Sequence, residues 1–298
     1  MPSLASTVMR ADEPTPEALT NSSPPPSRAE PDQGAELRTR RLFELDFIDD
    51  DGYDALVERL LAPQPDDGLL PLVSTPNVDD IVRFAKPELH ELRAMVRRSR
   101  YVIPDGQPIV WTSRLAGRPL TERLTGSSLF PVLWSGLVAG RRRTLAVVSS
   151  DEVGDGLRAE HPGLHTLVAP MFDQLGPDAM ERFVEECVEI IDRERIEFLL
   201  VGIGSPRQQR IAAGCFVELG RRGVEAPVVA LLGASFAMHL GQVQRAPEWM
   251  QRAGLEWFHR FTKEPARLFR RYFVTDLAFA PMMLREIVAA RRHRGHGH

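Results

Sequence analysis

Two short stretches carry side chains whose types and spacing suit a reaction at a polar ligand. In Tyr101-Val-Ile-Pro-Asp-Gly106 an apolar run ends just before Asp105, and a carboxylate beside a permissive glycine can act as a general base. The same Pro-Asp-Gly triplet makes an ordinary turn, so local sequence leaves both readings open. In Phe198-Leu-Leu-Val-Gly-Ile-Gly-Ser-Pro-Arg-Gln-Gln-Arg-Ile211 a continuous apolar run gives way to Gly202, Gly204, Ser205 and Pro206 ahead of a helical pattern. Glycines there let the backbone approach a ligand, proline suits a first helical turn, and the exposed amides of a helix start favour a phosphate. Thr75 and Asn77 follow a third apolar run, Leu69 to Val73. They can line the same sheet edge or simply turn the chain and cap a helix starting at Val78.

Charge is unevenly spread. From Gly241 onward eleven Lys and Arg outnumber five Asp and Glu, although the whole chain is net −4. Trp249, Trp257, Phe258, Phe261, Phe269, Tyr272 and Phe273 lie among those cations, a mixture that suits an anionic membrane surface or a solvated helix face. Asp49-Asp50-Asp51 copies the spacing of an Asp-x-Asp metal motif. It also precedes a helix starting near Tyr53, where acids favour the N-terminal dipole, and neither a metal nor another cofactor is expected. Arg292-His-Arg-Gly-His-Gly-His298 reads as a flexible basic end rather than a metal site. The negative overall charge argues against nucleic acid. Two cysteines, Cys187 and Cys215, supply neither a disulfide framework nor a cysteine-rich metal site.

The elements that must position these residues follow from hydropathy. A 298-residue chain with 43% hydrophobic content can bury one large core with an appendage. Residues 1–40, rich in Pro, Ser, Glu and Asp, predict a disordered arm. Residues 41–243 predict an α/β core, 244–290 the appendage, and 291–298 a flexible tail. Strands are expected at Phe43–Ile48, Leu69–Val73, Tyr101–Ile103, Thr144–Val148, Leu164–Val168, Phe198–Val201 and Pro227–Leu232. Helices fall between them, including one long pattern over Val78–Arg98. Such alternation predicts a doubly wound, mostly parallel, Rossmann-like sheet that binds ligands at its strand C-terminal ends. No apolar run is long enough to span a bilayer and the N-terminus has no signal-like apolar region. The expected location is therefore cytoplasmic.

Ser74-Thr-Pro-Asn77, Ile103-Pro-Asp-Gly106, Glu122-Arg-Leu-Thr-Gly126, the Gly204 corner, Gln244-Arg-Ala-Pro-Glu-Trp249, Gly254-Leu-Glu-Trp-Phe-His-Arg260 and Glu264-Pro-Ala-Arg-Leu-Phe-Arg-Arg-Tyr272 occur in this order. Over roughly residues 42 to 275 the chain resembles the WecG/TagA/CpsF family, glycosyltransferase family twenty-six. The resemblance implies that Asp105 is the catalytic base and that Arg260, Arg267 and Arg270 meet the diphosphate. It further implies that Thr75, Asn77, Gly106, Arg123, Gly126, Gly204, Ser205 and Gln208 form the substrate pocket, with Arg207 where lysine is usual and Thr125 in the same segment as Arg123. The implied activity is inverting, metal-independent transfer of a sugar, an N-acetylhexosamine such as N-acetylmannosamine. It would pass from a UDP-linked donor to a polyprenyl-diphosphate-linked sugar at the inner face of the cell membrane, in cell-surface polysaccharide synthesis. Members of the family self-associate, so a homo-oligomer is compatible with it.

Several positions depart from the family pattern. Gln208-Gln209 replaces a Gln-Glu pair, and Gly233-Ala234-Ser235-Phe236-Ala237 lacks the aspartate of a Gly-Gly-x-Phe-Asp segment. Ser149-Ser150 stands where Gly-Gly is usual, and Pro170-Met171-Phe172 where Gly-Tyr-Phe is usual. Two alternatives therefore stand beside the main reading: a transferase with a soluble small-molecule acceptor, and a non-catalytic sugar-nucleotide binder.

Overall fold

Alternation along the strands decides the architecture. Leu145, Val147, Leu199, Val201, Val229 and Leu231 belong to one buried cluster, whereas Ala146, Val148, Phe198, Leu200, Val228 and Ala230 belong to another. A period of two with both faces apolar describes a sheet covered by helices on each side. The computed structural model describes residues 37–49, 52–176, 178–247, 249–250, 256–263, 265, 269 and 276–295. Its strands are β1 (Thr39–Leu42), β2 (Leu45–Ile48), β3 (Leu70–Ser74), β4 (Ser99–Val102), β5 (Thr144–Val148), β6 (His165–Val168), β7 (Phe198–Val201) and β8 (Val228–Leu231). They form one sheet in the order β1-β2-β4-β3-β8-β7-β5-β6. All neighbours pair in parallel except β1 with β2. The fold is the expected doubly wound, Rossmann-like one.

On the first face pack α2 (Val78–Phe84), α3 (His90–Arg97), α4 (Gln107–Leu115), α7 (Ala179–Glu194) and α8 (Arg207–Arg222), through residues such as Ile81, Met95, Ile109, Phe183 and Ile211. On the second pack α1 (Tyr53–Leu61), α5 (Gly126–Ala139), α6 (Asp151–Glu160) and α9 (Ser235–His239), through Leu56, Phe130, Val153 and Phe236. The chain leaving β3 enters α2 on the first face, and the chain leaving the adjacent β8 enters α9 on the second. Divergence of neighbouring connections opens a crevice beyond the strand ends, where ligands of such sheets bind.

Three expectations need correcting. Phe43–Ile48 is not one strand: Phe43 and Glu44 take left-handed φ values of 51° and 64° and turn β1 back into β2. Such a two-residue turn usually signals itself by Asn-Gly, which is missing here. Tertiary contacts compensate, since Phe43 lies 5.2 Å from the Phe279 ring and Glu44 pairs with Arg97 and Arg93. The pattern from Val78 to Arg98 is broken at Pro87, which starts a 3-10 turn between α2 and α3. Thr39 and Arg40, grouped with the arm by composition, form the edge strand; residues 1–36 lie outside the described chain.

The C-terminal segment is also more integrated than its charge suggests. After α10 (Glu256–Lys263) comes α11 (Phe279–Gly295), which runs into the segment expected to form a tail; residues 296–298 lie outside the described chain. Phe279, Ile287 and Ala290 of α11 are buried in the first core, and Glu286 accepts a hydrogen bond from the Phe43 amide at 3.2 Å. No helix among the described residues is long and apolar enough to cross a membrane.

Candidate active site

The crevice brings together residues far apart in sequence. Thr75, just beyond β3, donates its hydroxyl to the Leu231 carbonyl of β8 at 3.2 Å. A side chain at Gly126 would begin 3.5 Å from both the Thr75 side chain and Ser235 Oγ, so the start of α5 is tucked between the ends of β3 and β8. One at Gly106 would begin 3.9 Å from Asn77 Cα, which places the turn after β4 against the turn after β3. Gln208, buried in the first turn of α8, accepts the Gly233 amide at 3.1 Å and ties the β7 corner to the β8 corner. Thr75, Asn77, Gly106, Gly126 and Gln208 therefore border one edge, and Asp105, partly exposed, stands beside Gly106 within it. Gly204 is exposed at the same corner as Gln208, and Ser205 Oγ is buried without a hydrogen-bond partner among the described residues.

Local structure explains how these residues are held. Asn77 caps α2, accepting the Asp79 and Asp80 amides at 2.9 and 3.3 Å while Asp80 accepts the Asn77 amide at 3.1 Å. Thr125 caps α5 through the Ser128 amide, and its own amide donates to the Tyr53 hydroxyl at 3.0 Å. Gly202 is required because a Cβ there would enter the Phe236 ring, so β7 and α9 meet in full contact. Glu160 steadies α9 from α6, accepting Trp134 Nε1 of α5 at 2.6 Å and sharing a 2.9 Å contact with His239 Nε2. Burial pushes the Glu160 carboxyl up, but the His239 and Trp134 hydrogen bonds outweigh it and hold the group below the usual range.

Asp49, the first acid of the run, has a structural use. Asp49 Oδ1 accepts the amide and hydroxyl of Thr121, each at 2.8 Å, and Oδ2 pairs with Arg40 at 3.1 Å. Burial raises the Asp49 pKa, and the Thr121 and Arg40 interactions bring it below the ordinary value. Asp50 and Asp51 lie outside the described residues, among which no group of three His, Cys, Asp or Glu side chains could hold a metal. A cleft of about 340 Å³ lined by Phe43, Ile81, Phe84 and Met282 lies elsewhere and contains none of the candidate residues.

With this edge defined, comparison with known proteins is decisive. The profile of the glycosyl transferase WecG/TagA/CpsF family matches residues 42–293. The chain belongs to this family. It is accordingly a glycosyltransferase. It is 24% identical over 261 residues to the N-acetylglucosaminyldiphosphoundecaprenol N-acetyl-beta-D-mannosaminyltransferase of Bacillus spizizenii, covering 86% of this chain and 95% of that one. It is 26% identical over 212 residues to the protein of the same description from Bacillus subtilis strain 168, covering 66% of this chain and 73% of the other.

The family motifs of the C-terminal segment divide differently. Arg260 lies in α10, but its side chain, like the whole of Arg267 and Arg270, is outside the described residues. Arg123, expected to face substrate, has its guanidinium Nη2 on Glu256 Oε2 at 2.9 Å. Glu256 and Arg245 were not among the expected site residues. Arg245 donates from Nη2 to Ser128 Oγ at 3.1 Å, on the first turn of α5. Both stand inside the quoted Leu-Glu-Trp and Gln-Arg-Ala-Pro motifs, and that was the available signal.

Proposed function

We propose that this glycosyltransferase moves an N-acetylhexosamine, such as N-acetylmannosamine, from a UDP-linked donor to a sugar on a polyprenyl diphosphate, with inversion and without a metal ion. The observation carrying this reading is the convergence of Asp105-Gly106 with Thr75, Asn77, Gly126 and Gln208 at one sheet edge of a family member. The two Bacillus relatives, named for transfer of N-acetylmannosamine to an N-acetylglucosaminyl diphospholipid, support the choice of donor sugar and acceptor.

In this scheme Asp105 takes the proton of the acceptor hydroxyl as that oxygen attacks the anomeric carbon from the face opposite the nucleotide. The bond from the anomeric carbon to the phosphate oxygen breaks, and its electron pair leaves on UDP. The added negative charge is met by Arg260, Arg267 and Arg270, whose planar guanidiniums suit phosphate oxygens, and by the amides at the start of α8. Gly204 lets the backbone come close to the donor, Ser205 and Gln208 orient it, and Thr75, Asn77, Gly106 and Gly126 shape the pocket, with Arg123 at its border. The commitment of both Asp49 oxygens to Thr121 and Arg40 favours arginine over metal as the counter-charge. The cationic, aromatic C-terminal segment suits peripheral contact with the inner membrane surface, where a lipid-linked acceptor resides. Self-association fits the same reading.

Incubating the full-length protein with a panel of nucleotide sugars and a synthetic N-acetylglucosaminyl diphospholipid tests it. The expected result is one extended lipid product from a UDP-linked N-acetylhexosamine, with turnover unchanged by excess chelator. Loss of turnover on chelation, restored by a divalent metal, would overturn metal independence. UDP release with no acceptor consumed would overturn the transfer itself.

A further inference from the structure

We infer that the Arg123–Glu256 ion pair is a latch that holds the start of α10 against the active-site edge, so that Arg123 positions α10 instead of touching substrate. The two side chains are 15% and 10% exposed and meet at 2.9 Å, which makes this a largely desolvated pair spanning 133 residues of sequence. Separating such a pair leaves each charge in a poorly hydrated place, so the closed arrangement is favoured once made. Arg123 projects from a rigid base. The Thr121 amide is held by Asp49, Leu124 is buried, and the Thr125 amide is held by Tyr53. Glu256 begins α10, a helix whose Phe258, Thr262 and Lys263 are exposed.

A second polar contact lands on the same stretch of core. Arg245, on the chain leading from α9 toward α10, reaches Ser128 at 3.1 Å. Both contacts thus grip residues 123–128, and Gly126 at the centre of that stretch is the residue tucked against Thr75 and Ser235. Position 260 follows Glu256 by four residues and so lies on the same face of α10. Fastening Glu256 to the core therefore fixes the start of α10, four positions before 260, beside this edge. The inference rests on the reading of this edge as the transfer site.

The test uses full-length R123E, E256R and the charge-swapped double variant, with transfer kinetics and amide hydrogen exchange over residues 256–263 as separate readouts. Each single reversal is expected to raise exchange in α10 and to lower kcat/KM by tenfold or more, roughly the effect of stripping a buried charge of its partner. The double variant is expected to bring both back to within about threefold of wild type. The milder Glu256→Gln should also raise exchange, which keeps the test valid if a reversal prevents folding. Unchanged exchange in all the single variants would overturn the latch. Restored protection without restored transfer in the double variant would equally overturn it, by showing that Arg123 or Glu256 meets substrate. If wild type transfers no sugar but exchange follows the expected pattern, the latch stands and the transferase reading falls.

Discussion

The sheet edge around Asp105 and the described part of residues 241–263 are attached to the molecule by different forces. The edge lies at the ends of the neighbouring parallel strands β4, β3, β8 and β7, of which β4, β7 and β8 are wholly buried. The segment after α9 leaves Trp249, Phe258 and Phe269 at 64%, 45% and 57% exposure and reaches the edge through Arg245–Ser128 and Arg123–Glu256. Polar contacts of that kind are directional and individually modest, whereas burying a large apolar side chain is worth roughly 1.5–3 kcal/mol each. The edge is thus part of the sheet, whereas the segment after α9 is fastened to it separately.

The strongest way to break this contrast is to empty the appendage of its phosphate-directed charge. Changing Arg260, Arg267 and Arg270 together to alanine should lower transfer by about 10³-fold, the scale on which removal of transition-state charge stabilisation acts. The melting temperature should stay within a degree or so, because the buried strands that carry the core are left unaltered. Initial rates and a thermal melt on the same preparation measure both. A large fall in the melt would mean that these arginines hold the fold rather than the diphosphate.

The contrast is sharpened by α11, which belongs to the appendage by sequence and to the core by packing. Phe279→Ala should destabilise the protein by about 3 kcal/mol, since a buried aromatic leaves a cavity against Phe43. Denaturant titration reads this directly. Transfer measured well below the melting range should change little, in contrast to the arginine variant. Cutting the chain after Gln244 removes α11 with the arginines, so a truncation cannot separate folding from function in this protein.

A smaller effect is expected at Asn77, whose cap and pocket roles can be told apart. Asn77→Asp keeps an acceptor for the Asp79 and Asp80 amides, whereas Asn77→Ala removes it and should cost about 1 kcal/mol of stability. If Asn77 also orients substrate, the aspartate variant will fold as well as wild type yet raise the donor KM. Equal donor KM in the aspartate variant and wild type would leave Asn77 only its capping role.

Much of the edge was legible because its signals are local. Phe198 to Val201 is a continuous apolar run, as a strand covered on both faces must be, and the glycines after it mark the corner that Gln208 and Gly233 close. The turn at Phe43-Glu44 was not legible, since its left-handed residues carry no glycine or asparagine and are held by Phe279 and Arg97 from distant sequence. Pro87 did announce the break between α2 and α3, and the helical periodicity on either side of it obscured that signal. The pairing of Arg123 with Glu256 could not be read from spacing, because the chain has many arginines and only the folded sheet chooses among them. Asp49 was legible in part. Its place before α1 argued against a metal role, but its Thr121 and Arg40 partners come from tertiary structure.

In the proposed mechanism Asp105 is the group that accepts the acceptor hydroxyl's proton at this edge. Its most direct test is the single-turnover rate of Asp105→Asn with donor and lipid-linked acceptor both saturating, beside a thermal melt. The amide keeps the shape of the carboxylate and lacks its basicity, so the rate should fall by about 10² to 10⁴-fold with the melt unchanged. A rate within about threefold of wild type would contradict the account and remove Asp105 from the chemistry.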